Sequence, residues 1–102
     1  MMAVLLQVDF EMEGPFGTEM AEGFQELAES INEEPGFLWK IWTENADEKE
    51  AGGIYVFETK EDAENYLKMH TERLAGFGIK DVNSKIFNIN QQLSKINNAP
   101  ME

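Results

Sequence analysis

The chain has no cysteine and a single histidine among its 102 residues. The first absence excludes disulfides, thiolate nucleophiles, Cys-ligated zinc and iron–sulfur clusters. The second excludes a three-histidine metal site, leaving only carboxylates as ligands for a hard cation, and no metal is expected. Basic residues are scarce: 8 Lys and Arg stand against 20 Asp and Glu, a formal charge of −12. A chain this acidic repels phosphate backbones, so neither nucleic acid nor an anionic membrane is an expected partner. No apolar run approaches the roughly 20 residues that span a bilayer. Met1 to Phe10 lacks a basic segment and reaches a charge at Asp9, which does not match a signal peptide, so a cytoplasmic protein is expected. There is no G-x-G-x-x-G or P-loop pattern for a nucleotide or flavin, and no G-x-S-x-G for an acyl-transfer serine. No cofactor is expected.

What the chain does have is a hydrophobic share of 42%, sufficient for a core at this length. The expectation is one domain over residues 1–102, with 90–102 as a C-terminal extension. Over Ala3 to Phe10, Val4, Leu6, Val8 and Phe10 fall on one face and Gln7 and Asp9 on the other, the period of a strand with one buried side. After the turn Gly14-Pro15-Phe16-Gly17, Thr18 is a candidate N-cap. Met20, Phe24, Leu27 and Ile31 then recur at helical spacing until Pro35-Gly36. Phe37 to Glu44 reads as the second strand, Asn45 to Glu50 as an acidic loop, and Gly52 to Glu58 as the third strand. Thr59 and Asp62 match a capping box, opening a helix with Ala63, Tyr66, Leu67, His70 and Leu74 on one stripe and an end at Gly76 or Gly78. Val82 to Ile89 is the fourth strand, and the Asn- and Gln-rich tail from Asn90 reads as weakly ordered.

The order β-α-β-β-α-β is the ferredoxin-like, α+β arrangement with a four-stranded antiparallel sheet. Two helices cover one face of such a sheet. By parity the other face holds Leu5, Leu38, Trp42 and either Val56 or Phe57, an apolar set that a face-to-face homodimer would bury.

Several stretches closely resemble the YdhR family of monooxygenases. They are Pro15-Phe16-Gly17, Ala28-Glu29-Ser30-Ile31-Asn32, Glu34-Pro35-Gly36-Phe37-Leu38-Trp39-Lys40 with Trp42-Thr43-Glu44, Ala51-Gly52-Gly53-Ile54-Tyr55, His70-Thr71 with Arg73-Leu74, and Leu93-Ser94 with Ile96-Asn97. Such proteins are similar to the dimeric α+β-barrel superfamily, which includes cofactor-independent quinone-forming monooxygenases and haem-degrading enzymes. The resemblance implies a homodimer and the oxidation of an aromatic compound.

Both tryptophans and one of the two tyrosines fall between Glu34 and Phe57, enough ring surface for a dense core or the wall of an apolar pocket. Alternation turns Trp39 toward the helices with Phe37 and Ile41. It leaves Trp42 on the dimer side or the rim, because its neighbours in parity, Lys40 and Glu44, would otherwise be buried without partners. Tyr55 and Phe57 share a face of strand three. Gly52-Gly53 before them either admits a close approach or needs unusual dihedrals. His70, on the buried stripe, is the candidate catalytic base or orienter, kept neutral by burial, or else a satisfied core residue. Asp9 either orients it or sits solvated at a strand end. Trp39, Tyr55, Phe57, Trp42 and Phe24 are the candidate walls of a substrate site. The function expected is cofactor-independent monooxygenation of a phenolic or hydroquinone-like compound, with a non-catalytic dimer holding a small hydrophobic ligand as the alternative.

Overall fold

The computed structural model describes residues 3–100. The elements run β1 (Val4–Glu11), α1 (Gly17–Gly23), α2 (Gln25–Ile31), β2 (Phe37–Asn45), β3 (Glu50–Phe57), α3 (Lys60–Gly76), β4 (Asn83–Asn88) and α4 (Gln91–Ile96). The four strands form one antiparallel sheet in the order β2-β3-β1-β4, the ferredoxin-like α+β topology expected. Among the described residues no helix is long and apolar enough to cross a membrane.

β1 follows its alternation without exception: Val4, Leu6, Val8 and Phe10 are buried and Leu5, Gln7 and Asp9 only half-buried. Its register against β3 sets Val4 opposite Phe57 and Leu6 opposite Tyr55, so the two central strands present their large side chains to the helices together. The N-cap half of the Thr59 box forms as read: Thr59 Oγ1 accepts from the Asp62 backbone N–H at 3.1 Å, and it donates to Asp62 Oδ2 at 2.9 Å in place of the backbone bond that closes a capping box. One N-terminal amide of α3 is thereby satisfied. Ala63, Tyr66, His70 and Leu74 are the buried stripe of α3. The helix ends at Gly76, and Gly78 takes the left-handed φ of +84° that a helix C-terminus commonly needs.

Three expectations are corrected. The first helix is two, α1 and α2, separated at Phe24, whose φ of −110° and ψ of 13° leave the helical region directly after Gly23, a poor helix former. Phe16 rather than Thr18 is its N-cap and offers no side-chain cap; the Gly17 N–H donates instead to Glu44 Oε1 of β2 at 2.7 Å. The tail from Asn90 is not wholly irregular: the Asn90 side chain accepts from the Leu93 N–H at 3.1 Å and opens the short helix α4.

A fourth correction decides the site. Phe37 pairs with Phe57 and Trp39 with Val56, so β2 advances two residues while β3 advances one. This bulge at Leu38 reverses the parity of everything after it. Lys40, Trp42 and Glu44 lie opposite Tyr55, Gly53 and Ala51 on the helix-covered face, whereas Trp39 lies opposite Val56 on the other. The uncovered face thus carries Leu5, Ile54, Val56, Trp39, Ile41 and Phe87 rather than Trp42 or Phe57. Ile41 is 54% and Phe87 47% exposed, and Leu38 at the bulge 44%.

Candidate functional site

The side chains below the C-terminal half of α3 do not close on one another. They leave a cavity of about 490 Å³, within the range of small-molecule sites, walled by Phe10, Phe24, Lys40, Trp42, Tyr55, His70 and Leu74. Phe24 reaches it because the chain breaks between α1 and α2, and its ring stacks on Trp42 at a centroid distance of 6.1 Å and 25° between planes. Trp42 reaches it because of the bulge.

Tyr55 and His70 are two of the polar residues of the wall, and both are anchored from behind. Arg73 Nη2 lies 2.9 Å from His70 Nδ1 and 3.3 Å from Tyr66 Oη. A guanidinium only donates, so Nδ1 holds the lone pair and the imidazole proton sits on Nε2, which faces Tyr55 Oη at 3.4 Å. Tyr66 Oη accepts from Arg73 and donates to Tyr55 Oη at 3.3 Å. Tyr55 Oη therefore receives two hydrogen bonds, and its own proton has no protein acceptor among the described residues.

The electrostatics follow from this burial. His70 is 4% exposed, and burial, then the charges of Arg73 and Lys40, push it down to about 3, so the ring is neutral at physiological pH. Burial raises Tyr55 well above the usual phenol range, and burial raises Tyr66 likewise; both keep their protons. Lys40 is lowered to about 7 by burial first and Arg73 second. Its Nζ lies 3.3 Å from the centroid of the Trp42 ring and 4.4 Å from that of Tyr55.

Of the side chains named from sequence, His70, Tyr55, Trp42 and Phe24 come together around the cavity. Two do not. Phe57 is 0% exposed and packed between Phe37 and Tyr66, a core residue because it lies one pleat deeper under α3 than Tyr55. Trp39, turned away by the bulge, lines a separate groove at the β2 edge with Leu38 and Ala28. Asp9 does not reach His70; its carboxylate accepts from Gln7 and Asn83 on the sheet at 3.3 Å each. Gly52 and Gly53 have ordinary φ and meet close neighbours: a Cβ on Gly52 would collide with the Val8 carbonyl of β1, and one on Gly53 would lie 2.6 Å from Lys40 Cε. Sequence reasoning missed Lys40, Tyr66 and Arg73. Tyr66, His70 and Arg73 do carry a signal, since spacings of four and three put them on one side of α3.

The family model described as "Putative mono-oxygenase ydhR" matches residues 5–100. Among solved structures the chain is similar to a mutant of SnoaB, a cofactor-independent oxygenase from Streptomyces nogalater. Identity is 16% and the TM-score 0.62, over 86% of this chain and 93% of that one. It is also similar to the monooxygenase from the gene ActVA-Orf6 of Streptomyces coelicolor in complex with the ligand nanaomycin D. There the identity is 19% and the TM-score 0.59, over 87% of this chain and 88% of that one. At these identities the likeness establishes the fold alone. No curated protein matches the chain.

Proposed function

Because the chain belongs to the ydhR mono-oxygenase family, we propose that it inserts one atom of O2 into a small phenolic or hydroquinone-like arene without a cofactor. The observation that carries this reading is the aromatic-walled cavity with Tyr55, whose hydroxyl accepts from both Tyr66 and His70, in its lining. Such a substrate needs no external reductant. A phenol with a free para position and O2 together give a para-quinone and water: one oxygen atom becomes the new carbonyl, the other leaves as water, and all four electrons come from the ring. The protein's part is to bind the ring, hold its oxygen and exclude bulk water.

Trp42 and Phe24, stacked on each other, form the apolar wall for the ring. Tyr55 donates to the substrate oxygen, and its charge-stabilising value grows as that oxygen gains negative charge. Of the two roles the sequence leaves open for His70, the arrangement favours the orienter. Arg73 occupies Nδ1, Nε2 carries the proton, and an imidazole pushed down to about 3 is a poor base for a phenol. The complex of the ActVA-Orf6 monooxygenase with nanaomycin D adds support for a small ligand bound by this fold.

The uncovered sheet face, with Ile41 and Phe87 half exposed, is the proposed seat of a homodimer.

The test is oxygen uptake with a panel of naphthols and hydroquinones, corrected for uncatalysed autoxidation, alongside thermal shift. Turnover of at least one compound is expected, falling by roughly 10²–10³-fold in Tyr55→Phe, the usual worth of one charge-stabilising donor. Thermal stabilisation by these compounds without turnover would instead make the chain a non-catalytic hydrophobic-ligand binder and contradict the proposal.

A further inference from the structure

One cavity-lining group is left without a role by the reading above. Lys40 stands in the wall between Trp42 and Tyr55 with no carboxylate in ion-pair reach; the ion pair among the described residues is Lys49 with Glu13, at 3.1 Å. Its Nζ rests instead on two ring faces, 3.3 Å from the centroid of Trp42 and 4.4 Å from that of Tyr55. A ring face attracts an ammonium but takes no proton from it. The amine can therefore exist in either state here, and it gains a true counter-ion only if the cavity supplies one.

We propose that Lys40 accepts the proton of the phenolic substrate, so that the substrate is held in the cavity as its phenolate beside the resulting ammonium. This rests on the reading that a phenolic compound occupies the cavity. The step is a proton transfer without redox change: the phenolic O–H bond breaks, an N–H bond forms on Nζ, and a neutral pair becomes an ion pair. The phenolate is the more electron-rich species toward O2, and its oxygen is the acceptor that the Tyr55 proton lacks in the protein.

The surroundings support the assignment. The charged and titratable groups facing Lys40 are Tyr55 on β3, His70 and Arg73 on α3, and Glu11 and Glu13 at the cavity mouth. Tyr55 and His70 are neutral, Glu13 is engaged by Lys49, and Glu11 is exposed. The Arg73 guanidinium has contacts only with His70 and Tyr66, and its Nε is buried without a partner. In a chain of formal charge −12, neither Lys40 in the cavity wall nor Arg73 behind His70 has an ion-pair partner among the described residues. Burial and Arg73 bring Lys40 to about 7, where an amine is both available as a base and able to keep the proton it takes.

Gly53 is the positioning residue. A Cβ there would lie 2.6 Å from Lys40 Cε, the yielding stem of a flexible side chain, and 3.1 Å from Tyr55 Cε1, so Gly53→Ala should displace the lysine most and press lightly on the Tyr55 ring.

The probe is 4-nitrophenol, whose phenolate is coloured and whose ionisation is read by absorbance without any oxidation. Bound to the wild-type chain, it should ionise at least about one pH unit below its value in free solution, a tenfold change in the equilibrium. Lys40→Met and Gly53→Ala should abolish that shift, and Lys68→Met, on the exposed side of α3, should keep it. If Lys40→Met does not fold, Gly53→Ala decides. Equal ionisation of the bound probe in the wild-type chain and both variants would overturn the proposal, as would a wild-type chain that does not bind the probe. A Lys40-dependent shift in a protein that consumes no oxygen with any phenol would contradict the oxygenase reading and leave the Lys40 assignment standing.

Discussion

Under the first half of α3, Phe37, Phe57 and Tyr66 fill the space between helix and sheet ring against ring, with centroids 5.8 Å apart from Phe37 to Phe57 and 5.4 Å from Phe57 to Tyr66. Under the second half, Phe24, Trp42, Tyr55 and His70 surround a cavity of about 490 Å³. Both ends are aromatic, on the same sheet face and under the same helix. What separates them is backbone. The bulge at Leu38 delivers Lys40 and Trp42 to the second end, Gly53 makes room for the lysine, and the break at Phe24 brings that ring across the opening. Aromatic content alone therefore does not mark a site; the placement of small residues and irregular backbone among the rings does.

The largest effect should come from breaking the packed end. Phe57→Ala removes a fully buried ring and should cost about 3–5 kcal/mol by denaturant unfolding. Trp42→Ala, at a half-buried wall that already borders empty space, should cost under about 2 kcal/mol while removing aromatic-ligand binding. Equal destabilisation by the two would erase the distinction between core and cavity.

The opposite sheet face sharpens the comparison, since it touches neither end. Ile41→Asp places an unpaired charge on that apolar surface and should weaken the proposed dimer on the order of 10²-fold, about 2.7 kcal/mol, in sedimentation measurements. The monomer should stay folded, because Ile41 is already 54% exposed. A wild-type chain that remains monomeric at high micromolar concentration would contradict the dimer.

The smallest effect concerns pH at the cavity end. His70 is held at about 3 in the folded chain against 6.5 as a free side chain. The unfolded chain thus binds more protons between those values, and the histidine's contribution to stability is complete above 6.5 and lost as pH falls through that window. Relative to His70→Gln, the wild-type protein should lose about 1–2 kcal/mol more stability between pH 7 and pH 5. Parallel stability profiles would mean that the imidazole charges freely and is not held by Arg73.

Much of the fold was legible because its elements obey simple periods. β1 alternates cleanly, Thr59 caps α3, and the α3 stripe buries Ala63, Tyr66, His70 and Leu74, with Leu67 half-buried beside them. The site was half legible for a physical reason. Phe37-Leu38-Trp39 is apolar at every position, so neither parity is forbidden and a one-residue bulge leaves no trace in the pattern. The polarity argument that kept Lys40 and Glu44 off the helix face failed because each finds a partner there that the sequence does not display. Lys40 has two ring faces, and Glu44 accepts from the Gly17 amide at the start of α1.

The central claim is that this cavity is where O2 meets an aromatic substrate that supplies its own electrons. The most direct measurement is mass spectrometry of the product formed under isotopically heavy oxygen gas, from the best phenol in the uptake panel, with no cofactor added. One heavy atom should appear in each quinone, at a rate that depends on Tyr55 and Trp42. Quinone carrying no heavy oxygen, or label incorporated equally fast by Tyr55→Phe and Trp42→Ala, would contradict the account.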